Sequence, residues 1–286
     1  MSRNKKRLEA TELPEKLLEG ANIQVPRGDQ LNFSVPTEIV ELPSEGKLYD
    51  ASHPLHNQKT VEIKYMTAKE EDILTSPSLI KTGQCLDRLL KSVIISAAVD
   101  PSTLYGSDRN AILIAARKTG FGSDYKTGYV CPKCGNDNEE VFDLDEAKIL
   151  RPTPESLAEA GLECIDGVYY TTLPSLKVQV GIRPLTYESE NKISKASQRK
   201  LELGLSESVT TDTLREMIVS IATSEEPSLI NQVIDSMPVL DSRHIRKMYS
   251  LITPRVSFEH EVECRSCGRE SRLEVPFDTD FFWPEL

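Results

Sequence analysis

The amino-acid sequence predicts an α+β protein, because strand-like and helix-like patterns occupy separate stretches of the chain. Residues 60–66, TVEIKYM, alternate apolar and polar side chains, which is typical of a half-buried strand. Residues 84–98 carry apolar side chains three and four positions apart, as an amphipathic helix does. Two matching Cys-x-x-Cys-Gly segments, each between strand-like stretches, add two further hairpins to this pattern.

Composition and charge narrow the class of protein. The chain has 286 residues, with 34 Lys and Arg against 45 Asp and Glu, so its net charge is −11. Such an acidic chain is a poor general binder of nucleic acid or of anionic membranes. No apolar run approaches the roughly 20 residues that span a bilayer, and the N-terminus lacks the apolar segment of a secretory signal. These observations predict a soluble cytosolic protein.

Local signals mark the individual elements. Thr67 and Glu70 have the spacing of a capping box, which predicts that a helix starts directly after the first strand. Residues 168–173 and 176–182 are rich in β-branched and aromatic side chains and predict a hairpin. Residues 212–223 place apolar side chains on one face and predict a helix.

The strongest chemical signal is two cysteine pairs. Cys131 and Cys134 form the first pair, and Cys264 and Cys267 form the second. Four thiolates in two such pairs can close a tetrahedral zinc site, and a following glycine permits the tight turn. We expect one structural Zn²⁺ ion, because four protein ligands leave no position open for water or substrate.

The distance between the pairs shapes the predicted architecture. Since 129 residues separate Cys134 from Cys264, a domain must be inserted between the two halves of the ribbon. The predicted fold is therefore an N-terminal strand–helix unit, a split four-cysteine zinc ribbon and an inserted, mainly helical domain. The predicted parts are a mobile N-terminal tail (1–22), a strand plus helices (23–123), the split ribbon with a C-terminal tail (124–150 and 256–286), and an inserted hairpin plus helical domain (151–255).

Two other functions are compatible with the cysteine pairs. One is a zinc-ribbon nucleic-acid or transcription-associated module, whose contacts would come from Arg265, Arg269 and Arg272. The other is a dithiol oxidoreductase, which requires a strand-to-helix setting and a lowered thiol pKa. The sequence contains no phosphate-binding loop, nucleophile elbow, HExxH or kinase motif. We therefore predict no enzyme and no catalytic residues.

One long segment resembles a known family. Residues 42–94, with the LPSEGKLY turn, the VEIKYMTAKEEDIL strand–helix unit and the LIKTGQCLDRLLKSVI helix, resemble the baseplate hub assembly proteins of T-even-type contractile-tailed bacteriophages. Residues 109–122, followed by YVCPKCG, and the ending 277–286 are similar to the same family. The zinc site is inferred from this sequence and not from the resemblance.

The resemblance implies a non-enzymatic function in building the phage tail baseplate, as an assembly chaperone or as a hub subunit. Its partners would be baseplate hub or tail proteins, with no small-molecule substrate and no membrane. The implied location is the host cytoplasm during assembly, and the virion if the protein is retained there. Both a chaperone that leaves and a subunit that stays agree with the sequence.

Three aromatic residues near the end of the chain are candidates for partner binding. Phe281, Phe282 and Trp283 are consecutive and are followed by a proline. Aromatic side chains concentrate binding energy at interfaces, so these three could anchor a hub partner. The alternative is that the segment docks on the ribbon of its own chain.

Overall fold

The computed structural model describes residues 34–206, 208–274 and 279–282, and the predicted tail 1–22 lies outside them. The predicted α+β class is confirmed, because helices and small antiparallel sheets share the unit Pro36–Leu286. The helices are α1 (Ala68–Leu74), α2 (Pro77–Lys81), α3 (Cys85–Val93), α4 (Gly106–Phe121), α5 (Pro154–Glu159), α6 (Tyr187–Glu202), α7 (Val209–Met217), α8 (Pro227–Asp235) and α9 (Val239–Ile252). Short 3-10 helices occupy Pro101–Thr103, Leu144–Glu146 and Thr279–Phe282.

The strands pair into small antiparallel sheets. They are β1 (Thr37–Glu41), β2 (Thr60–Lys64), β3 (Asp124–Val130), β4 (Asp137–Asp143), β5 (Lys148–Leu150), β6 (Glu163–Ile165), β7 (Val168–Thr172), β8 (Gln179–Ile182), β9 (Ile218–Ile221), β10 (Arg255–Ser257), β11 (Glu259–Glu263) and β12 (Glu270–Glu274). The sheets are β1–β2, β3–β4, β5–β10, β11–β12 and the four-stranded β6–β7–β8–β9.

The N-terminal strand–helix unit follows its local sequence. In β2 the predicted alternation is observed, with Val61 and Ile63 buried and Glu62 exposed. The capping box is confirmed, because the side chains of Thr67 and Glu70 each bond the backbone amide of the other. These short-range preferences place α1 directly after β2.

Glu70 does more than cap α1. Its side chain is fully buried and accepts hydrogen bonds from Lys64 Nζ at 2.8 Å and from Ser92 Oγ at 2.5 Å. It thereby joins β2, α1 and α3. Burial raises the pKa of Glu70, but the bonds from Lys64, Ser92 and Thr67 outweigh burial and lower the pKa to about 2.

Glu70→Gln is expected to lower the free energy of unfolding by about 2 kcal/mol, because hydrogen bonds to a charged group are lost. The folded-state pKa lies below the ordinary value, so the carboxylate stabilises the fold above about pH 4.3. That contribution disappears as the pH falls toward about 2. Urea unfolding at about pH 6 and about pH 3 should show the difference between the two proteins shrinking at the lower pH.

The control is Glu71→Gln, which changes the exposed carboxylate next to Glu70 in the same helical turn. A surface substitution of this kind changes stability by less than about 0.5 kcal/mol. Equal losses in the two variants would contradict the structural function assigned to Glu70.

The segments on either side of the predicted insertion pair with each other. Strands β5 and β10 pair antiparallel, with Ile149 opposite Val256. This ladder lies at the two ends of the predicted insertion, residues 151–255, whose status as a separate domain stays a prediction. Between β5 and β10 lie α5 to α9 and the four-stranded sheet, and the hairpin predicted there is confirmed as the β7–β8 pair.

One helix prediction inside the insertion is wrong over its second half. Residues 212–223 were expected to be helical, but α7 ends at Met217 and Ile218–Ile221 forms strand β9. Ile218 and Ile221 are three positions apart, which fits a helix as well as a buried strand. The strand forms because Ile218–Ile221 pairs with β8. In this position both isoleucines are buried.

Candidate metal centre

The fold brings the two cysteine pairs together. Cys131 and Cys134 lie in the turn between β3 and β4, and Cys264 and Cys267 lie in the turn between β11 and β12. The four Sγ atoms all lie within 4.8 Å of one another, a group that could hold a metal ion. Sγ of Cys131 is 3.8 Å from Sγ of Cys267, and Sγ of Cys134 is 3.6 Å from Sγ of Cys264.

The two cysteine turns have the same backbone geometry. The amide of Gly135 donates to the carbonyl of Cys131 at 2.9 Å, and the amide of Gly268 donates to the carbonyl of Cys264 at 2.8 Å. Both glycines have a positive φ, 71° and 63°, which side chains disfavour. The glycine after each cysteine pair therefore permits the turn that points both thiols of a pair at one place.

A buried asparagine joins the two turns. Oδ1 of Asn138 accepts from the amide of Arg265 at 3.1 Å, and its Nδ2 donates to the carbonyl of Asn136 at 2.9 Å. Tyr129 adds a second link, because its hydroxyl donates to the carbonyl of Glu263 at 3.1 Å. Neither Asn138 nor Tyr129 stands out in the sequence, because the two links form only when the two hairpins lie side by side.

Hydrogen bonds from backbone amides lower the pKa of two of the four thiols. The amides of Cys134 and Lys133 lower the pKa of Cys131. Burial raises the pKa of Cys264, but the equivalent amides of its own turn outweigh it and lower the pKa to about 6. Thiolates are the form that binds metal, so each turn supplies at least one ligand in a favourable state.

The geometry of the four sulfurs is compatible with zinc. In a tetrahedral site with Zn–S bonds of about 2.3 Å, the sulfurs lie about 3.8 Å apart. The two closest pairs between the turns, 3.6 and 3.8 Å, agree with that spacing. They are well beyond the roughly 2.05 Å of a disulfide bond. Both pairs also lie in hairpin turns and not at the start of a helix, unlike the setting expected for a redox dithiol.

Asn138→Ala is expected to lower stability by about 1–3 kcal/mol, because it leaves the Arg265 amide and the Asn136 carbonyl without this partner. Since the two bonds orient the turns that carry the ligands, zinc affinity should fall roughly 10- to 100-fold. Thermal melting and a competitive zinc-chelator titration measure the two effects. Asn231→Ala, at an exposed position of α8, is the control and should change neither quantity appreciably.

The two described aromatic residues near the C-terminus are buried, whereas a surface anchor for a partner would be exposed. Phe281 and Phe282 are each 4 % exposed, and Trp283 lies outside the described residues. The ring of Phe281 packs edge-on against Tyr125 with 5.1 Å between centroids. This placement agrees with the alternative that the segment docks on its own chain. The partner-binding prediction stays a prediction, and the two buried rings could take part only if their segment left its place.

A buried arginine, which does not stand out in the sequence, is hydrogen-bonded to this segment. Arg117 is 1 % exposed, and its Nε donates to the carbonyl of Phe281 at 2.7 Å. Its two other nitrogens donate to the carbonyls of Gly122 at 2.9 Å and of Asp124 at 3.1 Å. The guanidinium also lies over the ring of Tyr125, 5.0 Å from its centroid. The local sequence gives one indication that Arg117 is buried. It lies four residues after the buried Leu113, on the same face of α4.

The arginines of the second cysteine turn lie among carboxylates. Arg272 Nε forms an ion pair with Glu259 at 2.9 Å across the hairpin. The register of β11 and β12 also places Glu263 opposite Glu270. A surface of this composition repels phosphate as much as it attracts it, so the geometry does not favour a nucleic-acid interface.

A closed set of four thiols on two hairpins is typical of a structural metal centre, and not of a catalytic one. The fold and the site thus define an α+β protein with a four-cysteine group that could hold a metal ion. Residues 35–283 match the family model described as T4 bacteriophage base plate protein, so the chain belongs to that family. No curated protein and no solved structure gives a significant match. Among the described residues, none of the helices combines the length and apolar character needed to cross a bilayer.

Proposed function

We propose that this protein is a non-enzymatic assembly factor of the hub of a contractile phage tail baseplate, acting as a chaperone or as a hub component. Membership of the phage base plate family, over residues 35–283, is the observation that carries the proposal. A base plate is built from protein–protein contacts, so the partners are other hub or tail proteins. The location is the host cytoplasm during assembly, and the tail if the protein stays in the particle.

One zinc ion is part of the proposal. Cys131, Cys134, Cys264 and Cys267 would hold it, and the spacing of their sulfurs supports this. When bound, zinc supplies a cross-link between two hairpins that are far apart in the sequence. With four thiolate ligands, it has no free position for a substrate, so its contribution is structural.

The first test is genetic. A phage that lacks the gene is expected to accumulate tails without a complete base plate, and the gene supplied from a plasmid should restore infectious particles. Electron microscopy of lysates and plaque counts provide the measurements. Normal base plates in the absence of the gene would contradict the proposed function.

A second measurement decides between the two forms of the proposal. Mass spectrometry of purified particles, with the infected-cell lysate in parallel, gives the amount of this protein in each. A stoichiometric amount in the particle identifies a hub component. Presence in the lysate and absence from the particle identifies a chaperone.

A further inference from the structure

Helix α9 has an unusual solvent face. Its buried face consists of Asp241, Ser242, Ile245, Met248 and Ile252. On the opposite side Val239 is 74 % exposed, Leu240 61 % and Leu251 38 %. Three cationic side chains, Arg243, Arg246 and Lys247, are exposed between these apolar residues. We call these six exposed residues the α9 face.

Two hydrogen bonds join the apolar end of the α9 face to a neighbouring turn. The buried carboxylate of Asp241 accepts from the amide of Ser175 at 2.7 Å and from the amide of Leu176 at 3.1 Å. These bonds hold the turn before β8 against the first turn of α9, and Leu176 in that turn is 40 % exposed. Exposed apolar side chains grouped in one place mark interaction sites more often than isolated ones do.

The charge of the α9 face is opposite to that of the whole protein. The chain carries a net charge of −11, but the only carboxylate within α9 is Asp241, which is buried and bonded to backbone amides. Among the described residues, none of the three cations of the face takes part in an ion pair. Their charge is therefore available to a partner.

We propose that the α9 face binds an acidic, amphipathic segment of another baseplate protein. Apolar side chains of that segment would cover Val239 and Leu240, and its carboxylates would face Arg243, Arg246 and Lys247. Nucleic acid fits less well, because a phosphate backbone leaves the exposed valine and leucine uncovered. The proposal rests on the proposed function for the class of partner and adds the surface on which the partner binds.

Two double variants test the charged part and the apolar part of the α9 face separately. The full-length variants Arg243→Glu/Arg246→Glu and Val239→Ser/Leu240→Ser are supplied to the phage that lacks the gene. Each is expected to lower infectious progeny roughly tenfold or more, since like charges or lost apolar burial weaken the contact. Lys195→Glu/Arg199→Glu on α6 reverses two exposed cations outside the α9 face and should leave progeny within about twofold of wild type.

A photo-reactive amino acid at position 239 identifies the occupant in infected cells. The expected product is a cross-link to an acidic segment of a baseplate protein, lost when Arg243 and Arg246 are reversed. A cross-link to nucleic acid, to a basic segment or to a second copy of this chain would overturn the proposal. So would normal progeny from both α9 variants.

The controls separate this proposal from the proposed function. Zinc content and melting temperature show whether each variant is folded before its progeny are compared. If the gene is required and folded α9 variants replace it fully, only the α9 proposal fails. If the gene is dispensable for base plate assembly, the proposed function fails.

Discussion

Cys131→Ser/Cys264→Ser is expected to purify without zinc and to lose the arrangement of the two hairpins. Structural zinc contributes roughly 10–16 kcal/mol to the folding of isolated zinc-finger peptides. The loss should be smaller here, because Phe142 and Phe258 are buried and pack edge-on at 6.3 Å between the two halves of the ribbon. Elemental analysis should find one zinc per wild-type chain, and melting with and without a strong chelator measures its contribution to stability.

The matched control is Cys164→Ser, because Cys164 is an exposed thiol outside the four-cysteine group. It should keep its zinc and its melting temperature. If the wild-type protein is folded, free of metal and reactive at all four thiols of the site, the zinc proposal is wrong. Zinc in the control but not in the double variant would locate the ion at the predicted ligands.

Arg117→Met is expected to destabilise the protein by about 3–5 kcal/mol, the second largest effect. Methionine has a similar length but no donors, so three backbone carbonyls, those of Phe281, Gly122 and Asp124, lose their partner. Arg117→Lys should recover little, since an ammonium group cannot reach all three in the planar geometry of a guanidinium. Urea unfolding gives the change in free energy.

Arg88→Met on α3 is the control, because it removes an exposed guanidinium and should cost less than about 0.5 kcal/mol. Limited proteolysis adds a local measurement, since release of the Phe281 carbonyl should expose the C-terminal segment to cleavage before the rest of the chain unfolds. Equal stability of the two variants would show that Arg117 does not hold this segment in place.

Several features of the fold could be predicted because their causes are local. The capping box of Thr67 and Glu70 involves neighbouring residues, so its spacing was sufficient to place the start of α1. The hairpin β7–β8 followed from two short β-rich segments. By contrast, Ile218–Ile221 was ambiguous in periodicity, and pairing with β8 decided its structure.

In the candidate site, too, some features could be predicted from local sequence and others could not. The four cysteines and the glycines that follow them were visible in the sequence, because ligand type and turn geometry are encoded within a few residues. The contribution of Asn138 was not visible, since its partner Arg265 is 127 positions away. Nothing local distinguishes this asparagine from one on the surface.

The sequence by itself determined the fold class and the start of the capped helix α1, because periodicity and caps act over short distances. The zinc ligands and the inserted domain stay predictions. Only the tertiary structure decided how distant segments meet. The β5–β10 ladder pairs segments about a hundred positions apart, and Arg117 bonds Phe281 across 164 positions. Such contacts depend on the path of the whole chain. The function of a buried arginine or of a basic helix face can therefore be inferred only from the residues that surround it in the folded protein.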